Sequence, residues 1–141
     1  MIHEGIYATL SGNAGVSAIV GTRIYPVVMP QTAYTESSKK PCIVYRFDSR
    51  LRQVRFSGTD TLVDGSLVIE CYAVTRIEAS ELADAVRSAL VDYNGTMTGT
   101  GSPVSSNRVQ GIFLESENET FYPEPGVFIV TQDYRIWYDE A

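Results

Sequence analysis

The segment from Val127 to Tyr138 carries apolar or aromatic side chains on both strand parities, and the turn-forming run Tyr122 to Gly126 with its two prolines launches it. At about 3.3 Å per residue these twelve positions extend about 40 Å, far beyond an ordinary strand. Nothing in them resembles a nucleophile, an acid/base pair or a metal cage. Such a segment predicts a chain that builds a sheet and works through its surface. Phe128, Val130, Tyr134, Ile136 and Tyr138 share one parity, while Val127, Ile129 and Trp137 share the other. Core packing of both faces is the usual reading of such a strand; the alternative is that one face, including Trp137, stays partly exposed in the monomer and is covered by a neighbouring subunit.

A chain of 141 residues fits one domain spanning 1–141 and can bury its own core. Its net charge of −6 argues against general affinity for nucleic acid or anionic membranes. No run of about 18 apolar residues is present, and the start of the chain lacks a basic patch with a long apolar core, so a cytoplasmic product without a membrane partner is expected. Cys42 and Cys71 lie in apolar, strand-like runs and read as buried thiols, although a sheet can bring two such positions together.

Apolar spacing predicts two short N-terminal helices, Ile2 to Leu10 and Ala14 to Val20, the second ending at Gly21. Thr22 to Pro26 reads as an edge strand and 27–40 as a mobile loop without periodicity. Ile43, Tyr45 and Phe47 alternate with Val44, Arg46 and Asp48, and Leu67, Ile69, Cys71 and Ala73 alternate with Val68, Glu70, Tyr72 and Val74. Both runs predict half-buried antiparallel strands, joined by an extended β-ribbon turning near Ser57 and Gly58 or near Asp64 and Gly65. Thr75 and Glu78 form a capping pattern ahead of Ala79, Leu82, Ala83, Val86 and Leu90, predicting one long helix over about 75–92, about 27 Å in length. The Gly/Ser/Thr-rich stretch 94–106 reads as a second mobile loop, and Val109 to Glu119 as a strand pairing with the last one. The sum is an α+β fold with an antiparallel-dominated sheet.

Catalytic patterns fail on inspection. His3 is the only histidine, no GxSxG elbow surrounds a serine, and no CxxC pair offers metal ligands. Gly95, Gly99 and Gly101 follow a helix and lack the GK[ST] ending of a phosphate loop. Glu115, Glu117 and Glu119, at i, i+2 spacing, are expected on one solvent-facing side of a strand. No catalytic residue, metal or cofactor is therefore assigned, and the chain is read as a non-enzyme.

Charge is unevenly placed. Lys39, Lys40, Arg46, Arg50, Arg52 and Arg55 are six of the eleven basic residues, whereas Glu115, Glu117, Glu119, Glu124, Asp133, Asp139 and Glu140 concentrate acid near the C-terminus. A basic ribbon with weak intramolecular pairs is one reading. The sharper one is a head-to-tail contact in which Arg46, Arg50, Arg52 and Arg55 of one subunit meet Glu115, Glu117 and Glu119 of the next, with Trp137 in the covered face.

Ala14 to Pro26, Lys40 to Tyr45, Ile69 to Ala73 leading into Glu78 to Arg87, and Asp133 to Tyr138 together resemble the tail-completion, or tail-terminator, family of long-tailed bacteriophages and prophages. The resemblance spans nearly the whole chain and rests on core and turn residues. It implies a virion protein without an active site, made in the bacterial cytoplasm and assembled as a ring, typically a hexamer, on the head-proximal end of the tail tube. Its partners would be copies of itself, the tail tube protein and the head-completion proteins of the neck. Genome DNA would pass through the lumen without specific binding. Another neck component, such as a head-closure ring or minor tail protein, is the alternative within this class; a small ligand-binding domain or enzyme, or an accessory DNA-binding protein, are alternatives outside it.

Overall fold

A computed structural model describes residues 2–27, 40–55, 58–91, 93–99, 106–123 and 126–139. The elements run α1 (Ile2–Ser11), α2 (Ala14–Val20), β1 (Ile24–Pro26), β2 (Cys42–Arg55), β3 (Gly58–Ala73), α3 (Arg76–Leu90), β4 (Gly95–Thr98), β5 (Ser106–Tyr122) and β6 (Val127–Asp139). The fold is α+β, as the patterning predicts. Six strands form one sheet in the order β1-β2-β3-β6-β5-β4. Among the described residues only β1 against β2 is parallel; the other four pairings are antiparallel.

Local chemistry sets the helix starts. Asn13 Oδ1 accepts the Val16 amide at 3.1 Å, and Thr75 Oγ1 accepts the Glu78 amide at 3.2 Å, each satisfying one of the four donors that a helix N-terminus leaves open. Gly21, at φ 58°, takes the positive dihedral that ends α2. The third helix closes at Leu90, so it is about 22 Å long and shorter than its periodicity predicts. It still buries Ala79, Leu82, Ala83, Val86 and Leu90.

The alternation read from the sequence decides which face these helices cover. Cross-strand neighbours Ile43 and Cys71, Tyr45 and Ile69, and Phe47 and Leu67 lie on one face; Val130, Tyr134, Ile136 and Tyr138 of β6 and Val109 and Ile112 of β5 continue it. All of these join one apolar cluster with Ile2, Ile6 and Leu10 of α1, Val16 and Val20 of α2, and the buried stripe of α3. Burial of each such Leu, Ile or Val contributes about 1.5–3 kcal/mol. Among the described residues no helix lies on the opposite face, which carries Arg46, Leu51, Asp64, Glu70, Asp133, Arg135 and Trp137.

Several expectations change. The stretch 94–106 is not wholly a loop: Gly95–Thr98 is a strand paired with Ser106–Val109, because Met97 is 1% exposed and packs beneath α1. Positions 100–105, like 28–39 of the other expected loop, lie outside the described residues. The ribbon does not turn at Asp64 and Gly65. Both sit inside β3, and the register runs on to Arg55 opposite Gly58. A tight turn at Gly65 is incompatible with its place under Phe47 and Ile136, whose side-chain atoms would stand 3.1–3.2 Å from a Cβ there.

The two cysteines are adjacent in the sheet yet cannot meet. Cys71 pairs with Ile43 and Cys42 with Tyr72, so their side chains point to opposite faces; neither is in a disulfide, and both are 0% exposed. Burial pushes the Cys42 thiol from 9.0 up to about 12, with Arg23 opposing the shift, and burial likewise raises Cys71. A thiol-alkylating reagent at mildly alkaline pH is therefore expected to label both only after unfolding in urea. Rapid native labelling of either would show that its strand opens. The pH sign also follows: from pH 9 to about 12 the unfolded chain ionises Cys42 while the fold holds it neutral, so stability falls as pH rises through that window.

Candidate interaction surface

The ends of the two charged segments, Arg52 on β2 and Glu119 on β5, lie at diagonally opposite corners of the sheet, whereas Arg46 and Glu115 are level near its middle and Asp139 lies at the end that carries Arg52. In cross-strand register Arg52 is level with Val63, Tyr138 and Val109, whereas Glu119 is level with Val130, Cys71 and Ile43. Eight residues along β6 separate these levels, about 26 Å, and three strand spacings add about 14 Å across the sheet. Beyond Leu62, which is opposite Asp139, the β2–β3 ribbon runs past the end of β6. At the other end, β5 and β6 meet in a hairpin where Phe121 is opposite Phe128 and Tyr122 opposite Val127.

Each predicted interface residue has a definite place. Arg46 lies on the face without helices and pairs with Glu70 at 2.5 Å; Glu70 also accepts the Tyr72 hydroxyl at 2.7 Å. Arg50 rests over the Phe47 ring at 4.8 Å. Arg52 is exposed on β2, and Arg55 is the last residue of that strand, opposite Gly58. Glu117 and Glu119 share the helix-covered side of β5, where Glu117 accepts the Gln132 amide at 2.9 Å and Glu119 pairs with Arg76 at 3.2 Å.

Glu115 departs from the expected row. The register slips between Leu114 and Ser116, so Glu115 is the extra residue of a bulge and lines a cleft on the other face. One inserted residue reverses the parity on which the i, i+2 reading depends.

That cleft is about 130 Å³, bounded by Ser49, Leu51, Asp64, Gly65, Ser66, Glu115 and Arg135. Asp64, 8% exposed, accepts from Arg135 Nε at 2.9 Å and from its Nη2. These hydrogen bonds, followed by the Asp64 charge, hold the guanidinium above its ordinary value. Arg135 also lies 5.2 Å from the centre of the Trp137 ring, and Trp137 is half-buried. The arrangement is a positioned, self-neutralised pair beside exposed apolar groups. Among the described residues no cluster of three His, Cys, Asp or Glu side chains converges to hold a metal, and no helix is long and apolar enough to cross a membrane.

Two residues escape the sequence reading. Asp64 is hidden by its turn-like neighbour Gly65. Gln132, 0% exposed, occupies the apolar parity of β6, and a polar residue in that row is the signal for it. It donates to the Ala83 carbonyl of α3 at 3.0 Å and to Glu117, and accepts the Tyr134 hydroxyl at 2.8 Å. Burial pushes the Tyr134 phenol up, keeping it a donor.

The architecture is similar to that of a chain in the solved structure titled "Virion of native gene transfer agent (GTA) particle", with a TM-score of 0.65 at 16% identity, covering 95% of this chain and 91% of that one. Among curated protein sequences none matches. The family described as "Tail completion protein gp17" matches residues 4–139, nearly the whole length. The chain belongs to the tail completion protein gp17 family.

Proposed function

We propose that this chain, a structural tail component by family, closes the head-proximal end of a phage-type tail tube as a ring, typically of six copies, and stops further polymerisation there. The observation that carries the reading is the family match over residues 4–139. Likeness to a virion chain across 95% of the length supports the same fold for it. The placement of Arg50 and Arg52 on β2 at the corner opposite Glu117 and Glu119 on β5 favours a head-to-tail arrangement, in which one surface type meets the other around a closed rotation. One ring face then complements the tube end, while the other offers a surface to head-completion proteins; the genome passes through the lumen. The net charge of −6 suits a lumen that does not hold DNA. Assembly in the host cytoplasm and residence at the head–tail junction of the virion complete the proposal.

The test is to mix the purified chain with polymerising tail-tube subunits from the same genome and image the tubes by electron microscopy. Tubes ending at one end in a ring of this protein are expected, with a shortened length distribution. Tubes that grow on uncapped would overturn the terminator role.

A further inference from the structure

We propose that the outer edge of β5, from Gly111 to Tyr122, is the docking surface for the basic β2–β3 ribbon of a second copy of this chain; the inference rests on the ring reading above and names the surface that would build it. Strand β4 pairs with β5 only over Ser106–Val109. Among the described residues, Gly111 to Tyr122 are hydrogen-bonded on one side only, to β6. Twelve residues extend about 40 Å, and every second one turns its N–H and C=O outward, where an incoming strand can satisfy them.

The side chains on this edge are those of an interface. Phe113, Phe121 and Tyr122 are 52%, 49% and 51% exposed, and they are three of the seven large hydrophobics exposed among the described residues. Two more, Val74 and Ile77, flank the start of α3, which the Arg76–Glu119 pair ties to β5. Phe121 packs on Phe128 with ring centres 4.6 Å apart, so the aromatic tip is already ordered and costs little to fix on binding. The same strand carries Glu115, Glu117 and Glu119 and is bulged at two places.

Charge and bulges are the usual means of blunting an edge against its own kind. Three glutamates oppose pairing of β5 with β5 of another copy, but they admit a basic partner. The β2–β3 ribbon is that partner: it carries Arg50, Arg52 and Arg55, with Leu51 63% exposed among them. Its own β5 is three strands away, so the contact must be made with another copy.

Direction fits as well. Three successive antiparallel pairings, β2–β3, β3–β6 and β6–β5, leave β2 and β5 antiparallel to each other. A copy related by rotation about an axis near the strand direction therefore presents β2 antiparallel to β5. The basic part of β2 lies at one end of the sheet and the acidic part of β5 at the other, so the joined sheet must tilt relative to the ring axis, as strands do in a barrel.

The experiment exchanges the charges. One variant carries Glu115→Lys and Glu119→Lys, leaving Glu117 to its bond with Gln132; the other carries Arg50→Glu, Arg52→Glu and Arg55→Glu. Circular dichroism first establishes that both are folded. Self-association is then read by analytical ultracentrifugation up to millimolar protein and by end occupancy on tail tubes. Each variant alone is expected to associate about tenfold or more weakly than the original chain, since several cross-strand charge pairs turn repulsive. An equimolar mixture is expected to recover association, because each variant then meets its complement. A Leu51→Cys, Asn118→Cys double variant is expected to form an oxidised dimer and higher rings, the native thiols being buried.

Variants that associate like the original chain, a mixture no better than its components, or an original chain monomeric both in solution and on tubes would each overturn the proposal. If both variants still cap tubes, the edge assignment falls while the tail role stands. If the original chain does not cap, it is the tail role that falls.

Discussion

Replacing Gln132 by leucine is expected to lower stability by about 2–3 kcal/mol, a midpoint shift of about 6–10 °C for a chain of this size. The substitution preserves shape but leaves the Tyr134 hydroxyl, in a residue 0% exposed, without the Oε1 acceptor that now lies 2.8 Å away. It also removes donors to the Ala83 carbonyl at 3.0 Å and to Glu117 at 2.9 Å, the contacts that link α3 to β6 and β5. A buried hydroxyl with no partner costs about 1–3 kcal/mol, whereas removing both members of a pair is close to neutral. The Gln132→Leu, Tyr134→Phe double variant is therefore expected to recover the hydroxyl's share of the loss, about 1–2 kcal/mol, but not the share due to the Ala83 and Glu117 contacts. Urea denaturation of the four members of this cycle measures the coupling directly. A single leucine variant as stable as the original would sink the account.

Gly5→Val is expected to cost about 2–4 kcal/mol, and the damage is expected to concentrate where α1 meets β4. A Cβ at position 5 would stand 2.8 Å from Met97 Cβ and 3.4 Å from the Met97 carbonyl carbon, so helix and strand touch through the absence of a side chain. Neither atom is the far end of a flexible group, and relief requires α1 to move away from the sheet. Hydrogen exchange should accordingly quicken in Ile2–Ser11 and Gly95–Thr98 before the β3–β6 ladder is affected. Trimming Met97 to alanine in the same background should not rescue it, because the obstructing Cβ remains. Rescue by Met97→Ala would locate the clash farther out along the methionine and refute the close-approach argument.

Both effects arise from residues whose neighbours lie far off in sequence, which marks the limit of reading along the chain. The helix-covered face was legible because alternation in Ile43 to Phe47 and in Leu67 to Ala73 has one cause, a strand with one side against a core. The α3 cap at Thr75 was legible for the same local reason: a hydroxyl three residues ahead of an amide needs no distant partner. The strand at Gly95–Thr98 was not, since its polar threonines become a strand only through pairing with Ser106–Val109 and burial of Met97 under α1.

The candidate surface divides along the same line. Uneven charge, the basic ribbon and the acidic last third are properties of composition, and the sequence determined them without help. Residues 127–138 likewise had to become a strand, because apolar side chains on both parities tolerate few other environments. Tertiary structure alone decided which edge is unpaired among the described residues, that one bulge would send Glu115 to the opposite face from Glu117 and Glu119, and that Asp64 would meet Arg135 across β3 and β6. The physical reason is that a side chain's parity is local and periodic, whereas register, bulges and strand order are settled by pairings among segments many residues apart.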